Sequence, residues 1–75
     1  MDETESTAER IGRRVRHERH RQAIDQRTLA MVANVAVRSL HRVEQGEPTV
    51  RLDVLTRVLA ALGLRLDVHG HDDKT

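Results

Sequence analysis

The chain has 75 residues, with no cysteine and no Phe, Trp or Tyr, and its formal net charge at pH 7 is +1. A domain this small buries only about 60% of the surface of its unfolded chain, so aliphatic side chains must form the core and a dimer is expected to stabilise it. These features exclude a disulfide-stabilised fold and a thiolate metal site. The sequence also has no apolar run of ~20 residues and no signal-peptide pattern. These two features predict a cytoplasmic protein that does not enter a membrane.

Two helices and a turn are predicted in the first half of the chain. Apolar residues at positions 8, 11 and 15 recur at helical spacing and predict an amphipathic helix over Thr7 to Gln22. Asp25 is a favourable N-cap residue, and a short helix is expected to follow it from Gln26 to about Ala33. Asn34 then marks a turn, because asparagine tolerates the left-handed backbone conformation well.

The second half is predicted to contain two further helices. One runs from Val37 to about Gln45 and stops at Gly46, with a proline two residues beyond. The other begins near Arg51, repeats Leu and Val at spacings of three and four residues, and ends at Gly63.

Beyond the fourth helix the apolar period changes from 3.6 to 2. Leu64, Leu66 and Val68 alternate with polar residues, which is the pattern of a strand with one apolar face. An isolated strand leaves its backbone unpaired, so we expect it to pair with its own copy in a homodimer. The predicted domain covers residues 7–69, between polar tails at residues 1–6 and 70–75 that are expected to be disordered.

Charge is distributed unevenly along the chain. Residues 1–9 contain four acidic side chains and no basic one, whereas residues 10–51 contain ten arginines and four acidic side chains. A basic block of this kind suits the phosphate backbone of DNA, although arginines are also common on a helix face that is merely solvated. The charge pattern alone leaves both interpretations open.

The segment IDQRTLAMVANVAVRSLHRVEQG at residues 24–46 carries the main functional signal. It resembles the Xre/Cro-type helix-turn-helix family, in which Gln opens the second helix, Leu-Ala lies within it, a turn ends in Val and the recognition helix ends in Glu-x-Gly. The aliphatic members of the pattern are spaced to face one another across the turn, which fixes the angle between the helices. The resemblance implies an all-α, four-helix, lambda-repressor-like domain, completed here by the C-terminal strand. The matching residues are Gln26, Leu29, Ala30, Val35, Leu40, Val43, Glu44 and Gly46.

The same resemblance implies roles for residues of the third helix. The first part of this helix would enter the major groove, where Arg38 and Arg42 would read guanine through the planar fork of the guanidinium. Val37 would meet a thymine methyl group or remain a plain surface valine, with Ala36 close by. Residues that would contact phosphate without reading sequence are Gln26, Arg27, Ser39, His41 and Gln45.

Two structural expectations accompany the motif. The resemblance implies a largely buried ion pair between Arg19 and Glu44 that holds the fold together. Ala23 and Asn34 stand where the family usually has Gly, and Ala36 stands where a Ser or Thr normally caps the recognition helix. We expect these departures to lower stability more than they affect function.

The segment from Pro48 to Val68 departs from most Xre/Cro domains, which close with a fifth helix, and resembles the HipB-type antitoxins. In that group two copies of the strand are understood to pair across a twofold axis. The resemblance implies a homodimer joined through Leu64, Leu66 and Val68 that binds an inverted-repeat operator in double-stranded DNA. It also implies repression of its own promoter and neutralisation of a cognate HipA-like kinase toxin. The alternative is a free-standing or phage-type regulator without a toxin.

An enzyme and a purely protein-binding module are the competing interpretations. Ser39 and His41 lie two residues apart on a helix and face different directions, so they cannot form a nucleophile–base pair. We predict no pocket for a small-molecule substrate, no cofactor and no metal site. Arg38 and Arg42 argue against a protein-only module, because packing does not require them. Residues that could bind a metal only weakly are His69, His71, Asp72 and Asp73.

Overall fold

The computed structural model describes residues 4–70, and between them the chain forms four α-helices. The all-helical fold predicted from the apolar spacing is confirmed, and the predicted helix ends differ from the observed ones by only a residue or two. No helix within this range has both the length and the apolar character needed to span a membrane. The helices are α1 (Thr7–Arg21), α2 (Gln26–Ala33), α3 (Val37–Glu44) and α4 (Leu52–Ala61).

A single aliphatic core joins the helices. Val15 of α1, Leu29 of α2, Leu40 of α3 and Val58 of α4 are all almost fully buried. Each such side chain contributes roughly 1.5–3 kcal/mol through removal of apolar surface from water. α1 packs on α3, while α2 packs on both α3 and α4, so the core lies directly beneath the helix-turn-helix motif.

α1 approaches the end of α3 very closely at Gly12. A methyl group at this position would lie 2.5 Å from the carbonyl oxygen of Val43 and 2.9 Å from that of Glu44. Gly46 makes a matching approach to α1, since a methyl group there would lie 2.8 Å from the Cα of Glu9. The two glycines allow α1 to lie against the end of the motif, and helical periodicity gives no signal for this contact.

Side-chain caps define the starts of α1 and α2. Ser6 Oγ accepts a hydrogen bond from the Glu9 amide at 3.1 Å, and Glu9 Oε1 accepts one from the Ser6 amide at 2.8 Å, which forms a capping box. Asp25 Oδ1 accepts a hydrogen bond from the Thr28 amide at 2.7 Å, so Asp25 is the cap that the sequence predicts. Ser6 thus has defined contacts within the predicted tail over residues 1–6, while residues 1–3 lie outside the described range.

The turns on either side of α2 both need a left-handed residue. Ala23 before α2 and Asn34 after it each have a φ of 58°. The turn predicted at Asn34 is therefore present. α3 then begins at Ala36, whose methyl group cannot accept a hydrogen bond, and no described side chain caps this helix.

The predicted C-terminal strand is not formed in the single chain. Residues 64–70, here called the C-terminal segment, have no regular secondary structure, so the prediction of a strand over residues 64–68 is wrong for one copy alone. The physical reason is that a strand is stabilised by hydrogen bonds to a neighbouring strand, and the surrounding described elements are helices. Leu64 packs against the core, and Leu66 borders a groove together with Ile11 of α1.

Candidate nucleic-acid interface

The motif formed by α2 and α3 leaves one side of α3 open to solvent. Leu40, Val43 and Glu44 occupy the buried side of this helix. Apart from Gln26 and Arg27 of α2, the residues predicted to contact DNA lie elsewhere on α3 and at its two ends, where a DNA duplex can approach. The exposed ones are Ala36, Val37, Arg38, His41, Arg42 and Gln45, while Ser39 is half-buried.

Arg38 lies in the first turn of α3 with its guanidinium unengaged. Its side chain is exposed and makes no hydrogen bond or ion pair with any other residue in the range 4–70. A guanidinium in this state has all five N–H donors available. Arg38 can therefore present the planar fork that matches the O6 and N7 acceptors of guanine.

Arg42 lies one helical turn later and is engaged by the loop that follows α3. Its Nε lies 3.3 Å from Oε1 of Glu47, and its Nη2 lies 3.2 Å from Oγ1 of Thr49. The side chain is still 45% exposed, and exposed ion pairs of this kind contribute only about 0–1 kcal/mol. Arg42 is therefore accessible but has a competing partner in Glu47, which the helical spacing did not predict because Glu47 lies outside α3.

Glu44 is the centre of a buried cluster beneath α3. Its Oε2 accepts a hydrogen bond from Arg19 Nε at 2.6 Å, and its Oε1 accepts one from Arg19 Nη2 at 3.0 Å. Oε1 also accepts a hydrogen bond from Gln26 Nε2 at 2.9 Å. Arg19 donates in addition to the Ile24 carbonyl at 3.1 Å. The cluster thus ties the end of α3 to α1 and to the start of α2.

The electrostatics of this cluster keep Glu44 charged. Burial alone would raise the pKa of the Glu44 carboxyl group. Hydrogen bonds from Arg19 and Gln26, together with the charges of Arg19 and Arg16, outweigh burial and lower the pKa below its ordinary value. Arg16 also donates a hydrogen bond to the backbone carbonyl of Glu44, a contact that the sequence motif does not indicate.

The residues predicted to contact phosphate occupy different environments. Arg27 is exposed in the first turn of α2, and its side chain has no hydrogen-bond partner in the described part of the chain. Gln26 differs, because its side-chain amide already donates to Glu44. Ser39 borders a small cleft together with Arg42 and Thr49. Arg27 is consequently the least constrained cationic candidate for a phosphate contact.

The three predicted dimerisation residues become more exposed along the C-terminal segment. Leu64 is half-buried against the core, Leu66 is 42% exposed and Val68 is 89% exposed. The single chain leaves Val68 largely in water and Leu66 partly so. They are available to contact another molecule.

The weak metal candidates near the C-terminus do not form a site in the described structure. Within residues 4–70, no group of three or more His, Cys, Asp or Glu side chains is arranged to hold a metal ion. His69 Nε2 lies 3.8 Å from Oδ2 of Asp67. The other candidates, His71, Asp72 and Asp73, lie outside the described residues.

A short α2, a tight turn and an exposed α3 define a helix-turn-helix protein, a class whose second motif helix enters the DNA major groove. The model of the family described as "Helix-turn-helix domain" matches residues 10–70. The chain therefore belongs to the Xre-like helix-turn-helix family, as the motif at residues 24–46 predicts. No curated protein matches the chain. Family membership supports the general function of a DNA-binding regulator.

Proposed function

We propose that this chain is a sequence-specific transcriptional repressor that acts in the cytoplasm as a homodimer on an inverted-repeat operator in double-stranded DNA. The observation that carries the proposal is the state of Arg38, which is exposed and unengaged on α3. The opposite side of the same helix is anchored by the buried Glu44 cluster. Packing gives no reason for an arginine at this position, whereas readout of guanine in the major groove does.

In this proposal the two arginines of α3 read bases in different ways. Arg38 binds guanine directly, because its side chain has no partner among residues 4–70 to lose. Arg42 binds only after exchanging Glu47 and Thr49 for a base or a phosphate. Val37 lies against the bases at the start of the helix, with Ala36 beside it.

A second set of residues positions the protein on the backbone without reading sequence. Arg27 supplies a free positive charge at the start of α2. Gln26 is held by Glu44 and contributes through the helix start, where backbone amides favour anions. The remaining proposed contacts come from Ser39, His41 and Gln45.

The proposed homodimer is joined through the C-terminal segment. Leu66 and Val68 are the exposed apolar residues of this segment, and pairing with a second copy would cover them. Such a dimer would present two copies of α3 to successive major grooves, roughly 34–36 Å or a multiple of this distance apart. The operator would then be an inverted repeat.

We further propose that the repressor is the antitoxin of a toxin–antitoxin operon, where it regulates its own promoter and neutralises a HipA-like kinase toxin. The support is the resemblance of residues 48–68 to HipB-type antitoxins. After α4 the described chain continues as a segment with alternating apolar residues instead of a fifth helix. Most Xre/Cro domains close with a fifth helix at this position.

An electrophoretic mobility shift assay on the DNA upstream of the gene tests both parts of the proposal. We expect the protein to shift this DNA but not a version with scrambled half-sites, and the neighbouring gene product to alter the shifted complex. Failure to shift the DNA at low salt would contradict the repressor function. A sequence-specific shift that does not change when the neighbouring gene product is added would agree with the repressor function but contradict the antitoxin role. It would favour a free-standing regulator.

A further inference from the structure

We propose that a groove beside the starts of α1 and α4, here called the Glu47 groove, binds a small apolar molecule that carries an ammonium group. Glu47 binds the ammonium group, and this contact weakens the interaction of Glu47 with Arg42. The binding site does not depend on the proposed repressor function, but its effect on DNA binding rests on that function. The bordering residues that carry the argument are Ala8, Ile11, Val43, Glu47, Val50 and Leu55.

The Glu47 groove has the size and lining of a small-molecule site. Its volume is about 390 Å³. Such sites usually measure roughly 300–1,000 Å³ and have mainly apolar walls with a few polar groups. Benzene fits in an apolar space of roughly 150 Å³, so this groove has room for an apolar group of that size and a short chain. Residue spacing predicts no pocket here, because the walls come from α1, α4 and the loop after α3.

Packing fixes the walls of the groove. Val43 is buried, and Ile11 and Val50 pack against the core as partly buried side chains. Gly46, where the loop after α3 begins, lies so close to α1 that a methyl group on it would be 2.8 Å from the Cα of Glu9. The groove is therefore formed before a ligand binds, which reduces the ordering that binding requires.

Glu47 selects the charge of the ligand. Among the described residues that border the groove, it alone has an ionisable side chain. Its Oε1 accepts a hydrogen bond from Arg42 Nε at 3.3 Å, and its other oxygen has no partner within residues 4–70. A carboxylate has about four acceptor positions, so Glu47 can also accept from an ammonium group. The start of α1 already has a negative charge beside it, since Glu9 belongs to the capping box. A positively charged apolar ligand therefore fits best.

The loop that borders the Glu47 groove also binds Arg42. Nη2 of Arg42 lies 3.2 Å from Oγ1 of Thr49, in addition to the contact of its Nε with Glu47. Val50 borders both the Glu47 groove and the small cleft that Arg42 and Thr49 line. An ammonium group beside Glu47 would offset the negative charge that attracts Arg42. An occupied groove should therefore release the guanidinium and strengthen DNA binding.

NMR spectroscopy with hexylamine as the probe tests the site without DNA. Hexylamine is protonated at about pH 7, whereas hexanol is uncharged and hexanoate is negative at nearly the same size. Titration into isotope-labelled protein should shift the amide signals of residues 6–11 and 47–50. Hexylamine should bind about fivefold more tightly than hexanol, the upper range for a partly exposed ion pair. Equal binding of the three ligands, or signals in these two ranges that do not shift, would overturn the proposal.

Two variants test the wall and the charge of the groove separately. Ala8→Leu should fill the groove and abolish hexylamine binding, while leucine remains a good helix former. Glu47→Gln should weaken hexylamine binding about fivefold and leave hexanol binding unchanged. Asp53→Asn removes the charge of an exposed residue that does not border the groove and is the matched control. Hexylamine binding that either groove variant leaves unchanged would contradict the site. Circular dichroism checks folding, and the loop position of Glu47 keeps the test available if the change at position 8 disturbs packing.

Fluorescence anisotropy with operator DNA tests the effect on Arg42. Saturating hexylamine should strengthen DNA binding by up to about fivefold in the unchanged protein but not in Glu47→Gln, with ionic strength matched by sodium chloride. Unchanged affinity in the unchanged protein would contradict the link to Arg42. A protein that binds hexylamine but no DNA would contradict the repressor function and leave the site in place. A protein that binds the operator but not hexylamine would contradict this proposal alone.

Discussion

Ala23 and Asn34 share one backbone conformation but do not tolerate it equally. Both have a φ of 58°, which costs most non-glycine residues roughly 1–2 kcal/mol. Asparagine occupies this left-handed region several times more often than other non-glycine residues, whereas alanine is not favoured there. Ala23 is therefore the more strained of the two residues.

Ala23→Gly should stabilise the protein. Relief of backbone strain outweighs the additional entropy of glycine in the unfolded chain, and we expect a net gain of about 1 kcal/mol or less. Urea denaturation followed by circular dichroism measures the free energy of unfolding. Asn34→Gly is the matched control and should give a smaller gain, so an equal gain at both positions would contradict the assignment of strain to Ala23.

Glu47→Gln should strengthen binding to all DNA sequences. The change releases Arg42 from its ion pair and removes a negative charge beside the proposed interface, so we expect a gain of up to about 1 kcal/mol in binding free energy. Fluorescence anisotropy with operator and unrelated duplexes measures it. Asp53→Asn removes the charge of another exposed ion pair and is the control. Unchanged DNA affinity of the Glu47→Gln variant would show that the ion pair with Glu47 does not limit DNA binding by Arg42.

The sequence predicted the roles of individual residues better than it predicted their side-chain contacts. The family pattern indicated both the Arg19–Glu44 pair, which the structure contains, and the exposed position of Arg38. It did not indicate the contact of Arg42 with Glu47 or that of Arg16 with the Glu44 carbonyl. These two contacts depend on the path of a loop and on a helix crossing, neither of which appears in residue spacing.

At the scale of the elements, the starts of α1 and α3 are built differently. α1 begins with a reciprocal capping box between Ser6 and Glu9. α3 begins at Ala36, which offers no side-chain acceptor to the free amides of the first turn. The recognition helix thus lacks a stabilising contact that α1 and α2 both have.

Ala36→Ser should raise the melting temperature. A serine at this N-cap position would accept a hydrogen bond from an amide in the first turn of α3, and such a cap contributes about 0.5–2 kcal/mol. Ser6→Ala is the reciprocal control and should lower the melting temperature by removing an existing cap. Differential scanning calorimetry measures both. An unchanged or lower value for Ala36→Ser would place the start of α3 elsewhere.

The helices could be predicted because residues close to one another in the sequence determine them. α1 to α4 follow from apolar spacing and from punctuation such as Asp25, Asn34 and Gly46, all of which act over a few residues. The capping box at Ser6 and Glu9 could also have been identified, because Ser-x-x-Glu is its sequence signature. The C-terminal strand was predicted wrongly for one copy, because alternating apolar residues do not supply the neighbouring strand whose hydrogen bonds a strand needs.

At the scale of the whole molecule, two ionised glutamates belong to hydrogen-bond networks that connect elements distant in sequence. Glu44 links α3 to α1, and Glu18 lies in a second network in which Gln22 donates both to Glu18 Oε2 and to the Leu62 carbonyl, each at 2.9 Å. Hydrogen bonds from Arg21 and then Gln22 lower the pKa of Glu18 to about 2. Both networks depend on the charged form of a glutamate.

Stability should consequently fall in acid. A carboxyl group whose pKa is lower in the folded state stabilises the fold above its unfolded pKa of about 4.5, and for Glu18 this contribution is lost as the pH falls towards about 2. Glu44 acts in the same direction, since its pKa is also lowered. Thermal denaturation between pH 7 and pH 2 should show a decreasing melting temperature below about pH 4.5. Glu18→Gln should reduce the decrease, and an equally steep profile would contradict the role of Glu18.

The central claim is that α3 reads base pairs through Arg38, and the most direct measurement is the binding of Arg38→Ala to the operator and to operators altered at single base pairs. We expect a loss of about 1–3 kcal/mol at the unaltered operator and loss of discrimination at one base pair in each half-site. Arg57→Ala removes the same charge from an exposed site on α4 and is the matched control. Equal weakening of Arg38→Ala on every DNA sequence, or weakening no greater than that of Arg57→Ala, would contradict base readout by Arg38.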